Sequence, residues 1–155
     1  MSAPASHLDP FIANWSRIHK QTTRLMKSSP NDKYDWKPED TAMPLGELMN
    51  HFYIAEALFI ESAMTGGFKK ESLPAAINST EELIAAFDQS HAAGVAQIAS
   101  LTPEQMNETV APFGPEKAMP RSFLMQVMLE HEIHHRGQLY TYLRMLGCEC
   151  PALFG

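Results

Sequence analysis

The chain has 155 residues and a formal net charge of -6. This length suits one domain, residues 1–155, and a folded chain of this size buries roughly 70% of its unfolded surface, so no staple is needed. The charge, with no basic stripe, excludes a nucleic-acid partner. No run approaches the roughly 18 apolar residues of a membrane span.

Two cysteines, Cys148 and Cys150, stand too close together to tie separate elements, which predicts a reducing compartment rather than a disulfide framework. The opening stretch MSAPASHLDPF has no basic region followed by an apolar core. No signal peptide is expected, and the expected location is cytoplasmic.

The first helix is predicted at LDPFIANW, with Asp9 as N-cap and Pro10 in the first turn. Phe11, Trp15, Ile18, Thr22 and Leu25 follow at helical spacing, and the helix should end near residues 28–30. A polar loop with two prolines comes next. The second helix starts near Pro44, carries a stripe of Leu48, Phe52, Ala55 and Phe59, and stops at Gly66-Gly67. The third opens at Ser79, which with Glu82 forms a capping box, and presents Leu83, Phe87, Val95 and Ile98. Thr102 with Gln105 predicts a short helical turn, and the loop around residues 106–120 has room for a small hairpin. The last helix, residues 122–146, is marked by Leu124, Val127, Met128, Leu139, Leu143 and Leu146, with Gly147 just beyond its end. These segments define an all-α, four-helix bundle.

The last helix contains HEIHH, residues 131–135. His131 and His135 lie about 40° apart on a helix and share the stripe of apolar residues. A buried imidazole without a partner costs about 1–3 kcal/mol. A divalent metal ion accounts for two of them together, because helical i, i+4 histidines can chelate one ion. His51, on the stripe of the second helix, completes a three-histidine set that leaves a coordination position open, as catalytic zinc sites do. His134 falls on the other side of His131 and is assigned an exposed or supporting position. His91 could face inward beside Phe87 and Val95, as an extra ligand. His7 and His19 are expected at the surface.

HEIHH also fits the H-E-x-x-H pattern of zinc proteases, with Glu132 as base. The extended protease pattern needs Gly at 138 and His at 141, where this chain has Gln138 and Thr141, and no upstream strand is evident to hold a peptide. Glu132 is therefore expected to be solvated or to support a ligand. Glu132 and Glu47 remain candidates for a catalytic base or for orienting an imidazole.

DWKP followed by LGELMNHFYIAEALF, then FG, MPRSFLMQVMLEHEIHHRGQLYTYLRMLG and the ending CPALFG, resemble the DinB-like superfamily of metal-binding four-helix bundles, which includes YfiT-type proteins. The resemblance covers most of the chain, and HEIHHRGQ is its most specific block. It implies one zinc or nickel ion per chain on His51, His131 and His135, and a homodimer. It also implies metal-dependent chemistry on small molecules, among them transfer to low-molecular-weight thiols such as glutathione, mycothiol or bacillithiol. The alternatives are a non-catalytic, stress-related metal-binding protein with a closed coordination shell, and a metal-dependent hydrolase. Gln138 is expected to support a ligand, and Arg136 to contact a neighbouring loop.

Overall fold

Local signals set the helix boundaries in the computed structural model, which describes residues 6–154. Residues 1–5, where the signal-peptide reading begins, and Gly155 of the CPALFG ending lie outside the described residues. Helix α1 (Asp9–Met26) has Pro10 in its first turn, where a missing N–H leaves no bond unmade. Asp9 is not its cap. Leu8 holds that position, and Asp9 Oδ2 instead accepts the backbone N–H of Ser6 at 2.8 Å. Helix α2 (Leu45–Thr65) follows Pro44 and ends at Gly66, whose φ of 83° needs glycine. Helix α3 (Thr80–Ala99) is capped by the Ser79 side chain, which accepts the Glu82 N–H. The short α4 (Pro103–Asn107) has a complete capping box between Thr102 and Gln105. A two-residue hairpin follows, β1 (Thr109–Val110) antiparallel to β2 (Met119–Pro120). Helix α5 (Arg121–Met145) closes the fold, and Gly147 beyond it takes a φ of 76°. The predicted all-α bundle of four long helices is observed, with both the helical turn and the hairpin before the last helix.

α1 packs on α3 and α5, and α2 packs on the same two helices. The bundle order is thus α1, α3, α2, α5, with α1 diagonal to α2. This order places α2 beside α5, the two helices carrying the predicted ligands.

The core consists of two apolar clusters. One gathers Trp15, Ile18, Phe59, Ile60, Met128 and Leu129. The other gathers Leu25, Met49, Phe52, Phe87, Leu139 and Leu143. Between them in sequence on each helix falls a buried polar residue: His19 on α1, Glu56 on α2, His91 on α3, and Glu132 and Arg136 on α5. A polar layer therefore interrupts the core at mid-height.

The loops around α2 are fixed by specific bonds. Asn50 is buried and reads the loop before α3 from both sides: its Nδ2 donates to Ile77 O and its Oδ1 accepts from Ile77 N. A Cβ at Gly46 would lie 2.7 Å from Tyr34 Cδ2, so glycine lets the α1–α2 loop close onto the start of α2. On the opposite side, the buried Arg121 donates to the carbonyls of Ala63 and Gln105 and to Glu108 Oε2, tying α4 and the hairpin to α2.

Candidate metal centre

His51 projects from α2 toward α5, where His131 and His135 occupy successive turns. Their Nε2 atoms form a nearly equilateral triangle. The His51–His131 edge is 3.0 Å, and the His51–His135 and His131–His135 edges are each 3.1 Å. All three rings are half-buried. His135 Nδ1 lies 2.5 Å from Gln138 Oε1, a carboxamide oxygen that can only accept, so this ring nitrogen carries the proton. His135 Nε2 then presents a bare lone pair to the other two rings.

Burial is the main cause of lowered pKa values at all three histidines. At His51 the neighbouring His135 adds to it. At His131 the nearby His135, His51 and His134 bring the value down to about 4. At His135 the bond to Gln138 opposes the shift in part. Neutral imidazoles are the form that binds metal.

The triangle fits an ion. With metal–nitrogen distances near 2.0–2.1 Å, three ligands at 90–110° to one another stand roughly 2.9–3.4 Å apart. The observed edges fall in that range. Converging imidazole nitrogens cannot all satisfy one another, because each neutral ring has one donor and one acceptor.

A cleft of about 440 Å³ opens beside His51, lined also by Glu47, Tyr34, Asn50 and Ile54. On the other flank, the Phe59 ring centre is 5.5 Å from that of His131. Phe113 stands 6.4 Å from Phe59, and Phe68 stands 6.4 Å from Phe113, so aromatic rings wall that side.

The remaining predicted residues are distributed as follows. Glu47 is exposed and shares the cleft with His51, one turn away. His134 is exposed, with its ring centre 4.9 Å from that of His135. His7 is exposed, as expected. Glu132 corrects the expectation of a solvated carboxylate: it is 5% exposed and turned into the core. Position 132 lies about 100° around the helix from His131, so its side chain leaves the α2 seam. Burial, reinforced by Glu56, pushes its pKa up to about 8 against the opposing pull of Thr22 and Arg136. Arg136 is also buried, and its Nη1 donates to Gln21 Oε1 of α1 at 2.8 Å rather than to a loop.

His91 and His19 need correction too. His91 faces inward but joins a different group, with His19 and Glu56, instead of serving the three-histidine triangle. His19 is 4% exposed, not a surface residue. Its side chain reaches past the α1 stripe to Asp88 on α3, where Nε2 stands 2.7 Å from Oδ1. Either group, His51–His131–His135 or the wholly buried His19–Glu56–His91, has the ligand chemistry and closeness to hold a metal ion. Periodicity turns His91 inward but leaves His19 at the surface and does not single out Glu56, so it does not assemble the buried group. The signal available was positional: Glu56 stands one residue after Ala55 of the α2 stripe, and His19 one residue after Ile18 of the α1 stripe.

An all-α bundle with converging histidines on adjacent helices defines a class of helical proteins with metal-binding capacity. Residues 14–139 match the model of the DinB superfamily, and the chain belongs to that family. It is 30% identical to the uncharacterized protein YjoA of Bacillus subtilis over 88% of this chain and 89% of that one. The crystal structure of the DinB-like protein YjoA superposes with a TM-score of 0.77 at 26% identity, covering 94% of this chain and 97% of that one. A DinB-like protein from Bacillus cereus shares the fold with a TM-score of 0.80 at 19% identity, covering 95% and 97%. Among the described residues, no helix is long and apolar enough to cross a membrane.

Proposed function

We propose that the protein is a divalent-metal-dependent enzyme that acts on a small molecule, with His51, His131 and His135 as the ligands. The observation that carries this reading is the Nε2 triangle with 3.0–3.1 Å edges. Imidazole ligands suit zinc or nickel. The group offers three protein ligands, which is the pattern of sites that keep a position for substrate or water.

The finer reading is a thiol S-transferase. A bound ion would supply a Lewis acid that favours the thiolate form of a thiol, the nucleophilic form. The protein's own residues do the rest. Gln138 holds the His135 Nδ1 proton and so keeps Nε2 free as a ligand. The cleft beside His51 admits a small substrate, and Glu47 on its wall is placed to accept a proton. Phe59 beside His131, with Phe113 and Phe68 next to it, gives the far side an apolar wall. Hydrolysis would use the same position with water in place of the thiol. The resemblance to the superfamily supports a homodimer, which sedimentation at micromolar concentration tests.

Metal-reconstituted protein assayed with glutathione, bacillithiol and mycothiol against a panel of electrophiles tests the transferase. Metal-dependent turnover with one thiol supports it; no turnover with any of them removes it. The non-catalytic reading requires a fourth protein ligand. Of the two candidates, His91 or a carboxylate, His91 belongs to the buried group instead.

A further inference from the structure

Each of the four long helices contributes a buried ionisable group to the layer that divides the core. These are His19 from α1, Glu56 from α2, His91 from α3 and, from α5, Glu132 together with Arg136. Bundle metal sites are built in this way, from side chains on facing helices. His19, Glu56 and His91 each offer a ligand atom within 4.8 Å of the others.

The outer bonds of this group resemble the support given to metal ligands. His19 Nε2 is held by Asp88 Oδ1 at 2.7 Å, and His91 Nε2 meets Ser16 Oγ at 3.2 Å. Both rings thus turn Nδ1 away from these partners and inward. A ligand histidine commonly gives its second nitrogen to a carboxylate or another oxygen, which fixes ring orientation. Glu56 Oε2 accepts from Trp15 Nε1 at 2.9 Å and lies 3.2 Å from His91 Nδ1.

The inward atoms are not all satisfied. His19 Nδ1, Glu56 Oε1 and Glu132 Oε1 are buried with no hydrogen-bond partner among the described residues. Orphaned polar atoms in a core are costly, and three of them in one layer call for a shared occupant. Purely oxygen-loving ions such as magnesium or calcium do not favour two imidazoles. A groove of about 1180 Å³ along α1, lined by Ser16, His19, Asp88 and His91, gives an access route to the layer.

We infer that His19, Glu56 and His91 form a second site, separate from the three-histidine triangle, for a first-row divalent transition ion, with Glu132 beside it. The His19 and His91 rings stack with centres 3.9 Å apart and planes at 8°, so one ring must turn for both Nδ1 lone pairs to meet one ion, and the second ion binds more weakly than the first.

Zinc titration of untagged, metal-stripped protein tests this, with bound metal counted by mass spectrometry after gel filtration. Wild type is expected to bind two equivalents. The His131→Ala/His135→Ala variant is expected to keep one, and Glu56→Gln or His19→Gln added to it to bind none. One equivalent in wild type that disappears in His131→Ala/His135→Ala overturns the second site. A second equivalent that survives both Glu56→Gln and His19→Gln overturns its ligand assignment. A single equivalent lost in His19→Gln yet kept in His131→Ala/His135→Ala supports this site and removes the proposed function. Should the core substitutions fail to fold, the thermal midpoint of His131→Ala/His135→Ala alone decides. Zinc in excess raises it if the site exists, and an unchanged midpoint overturns the inference.

Discussion

Gln138 Oε1 lies 2.5 Å from His135 Nδ1, one turn along the same helix. This contact fixes which nitrogen of His135 faces the triangle. Removing it frees the ring to change tautomer and rotate. Outer partners of ligand histidines contribute about 10–100-fold to metal affinity. Gln138→Ala should therefore weaken zinc binding by about that factor, measured by competition with a chromophoric chelator. Gln138→Glu keeps an acceptor oxygen and should retain affinity. Equal affinity in wild type and Gln138→Ala would show that the contact does not orient the ligand.

Glu132 makes stability depend on pH in a defined direction. Its folded pKa is raised to about 8 from 4.5, chiefly by burial, so the folded protein holds this proton after the unfolded chain has released it. The stabilisation is complete below about pH 4.5 and is lost as pH rises toward 8. Glu132→Gln, neutral throughout, should flatten that part of the thermal-midpoint profile and raise the midpoint relative to wild type at pH 8 and above. Parallel profiles for the two proteins would contradict the placement of this carboxyl.

His131 acts on the acid side. Burial and the neighbouring imidazoles hold its folded pKa near 4, against 6.5. The unfolded chain takes up this proton first as pH falls. In metal-free protein, stability should decline from about pH 6.5 to about 4 through this group. His131→Gln should shrink that decline, as read by chemical denaturation across the window.

Two substitutions test the packing that positions the polar layer. A Cβ at Gly94 would stand 2.3 Å from Ile60 Cδ1 and 3.2 Å from Trp15 Cη2. Gly94→Ala should cost about 1–3 kcal/mol by overpacking, less whatever Ile60 regains by rotating. Trp15→Phe keeps the apolar ring but removes the donor to Glu56, at a cost of about 1–3 kcal/mol. Urea denaturation reads both, and a change below a few tenths of a kcal/mol in either would contradict the contact concerned.

The sequence marks the helices well because their ends are written in local chemistry: Gly66, Ser79, and the Thr102–Gln105 pair each act where they stand. The convergence of His51 with His131 and His135 was also legible, since each histidine lies near an apolar stripe at helical spacing. The core polar layer was not. Pattern reading places charged and polar residues outside, whereas α5 buries Glu132 and Arg136 between Leu129 and Leu139. The true buried line of α5 runs through those two residues, and His131 and His135 flank it, which is why they are half-buried rather than central. Asp9 failed as a cap for a simpler reason: the chain enters the helix one residue earlier.

Under the proposed function, His51, His131 and His135 hold one ion and leave part of its coordination open. The most direct measurement is a crystal structure of zinc-reconstituted protein with anomalous diffraction at the zinc edge. The expected result is a peak bonded to the Nε2 atoms of all three histidines at about 2.0–2.1 Å, with its remaining position filled by water or a small molecule. A fully loaded protein without a peak between these three nitrogens, or with a fourth protein ligand closing the shell, would contradict it.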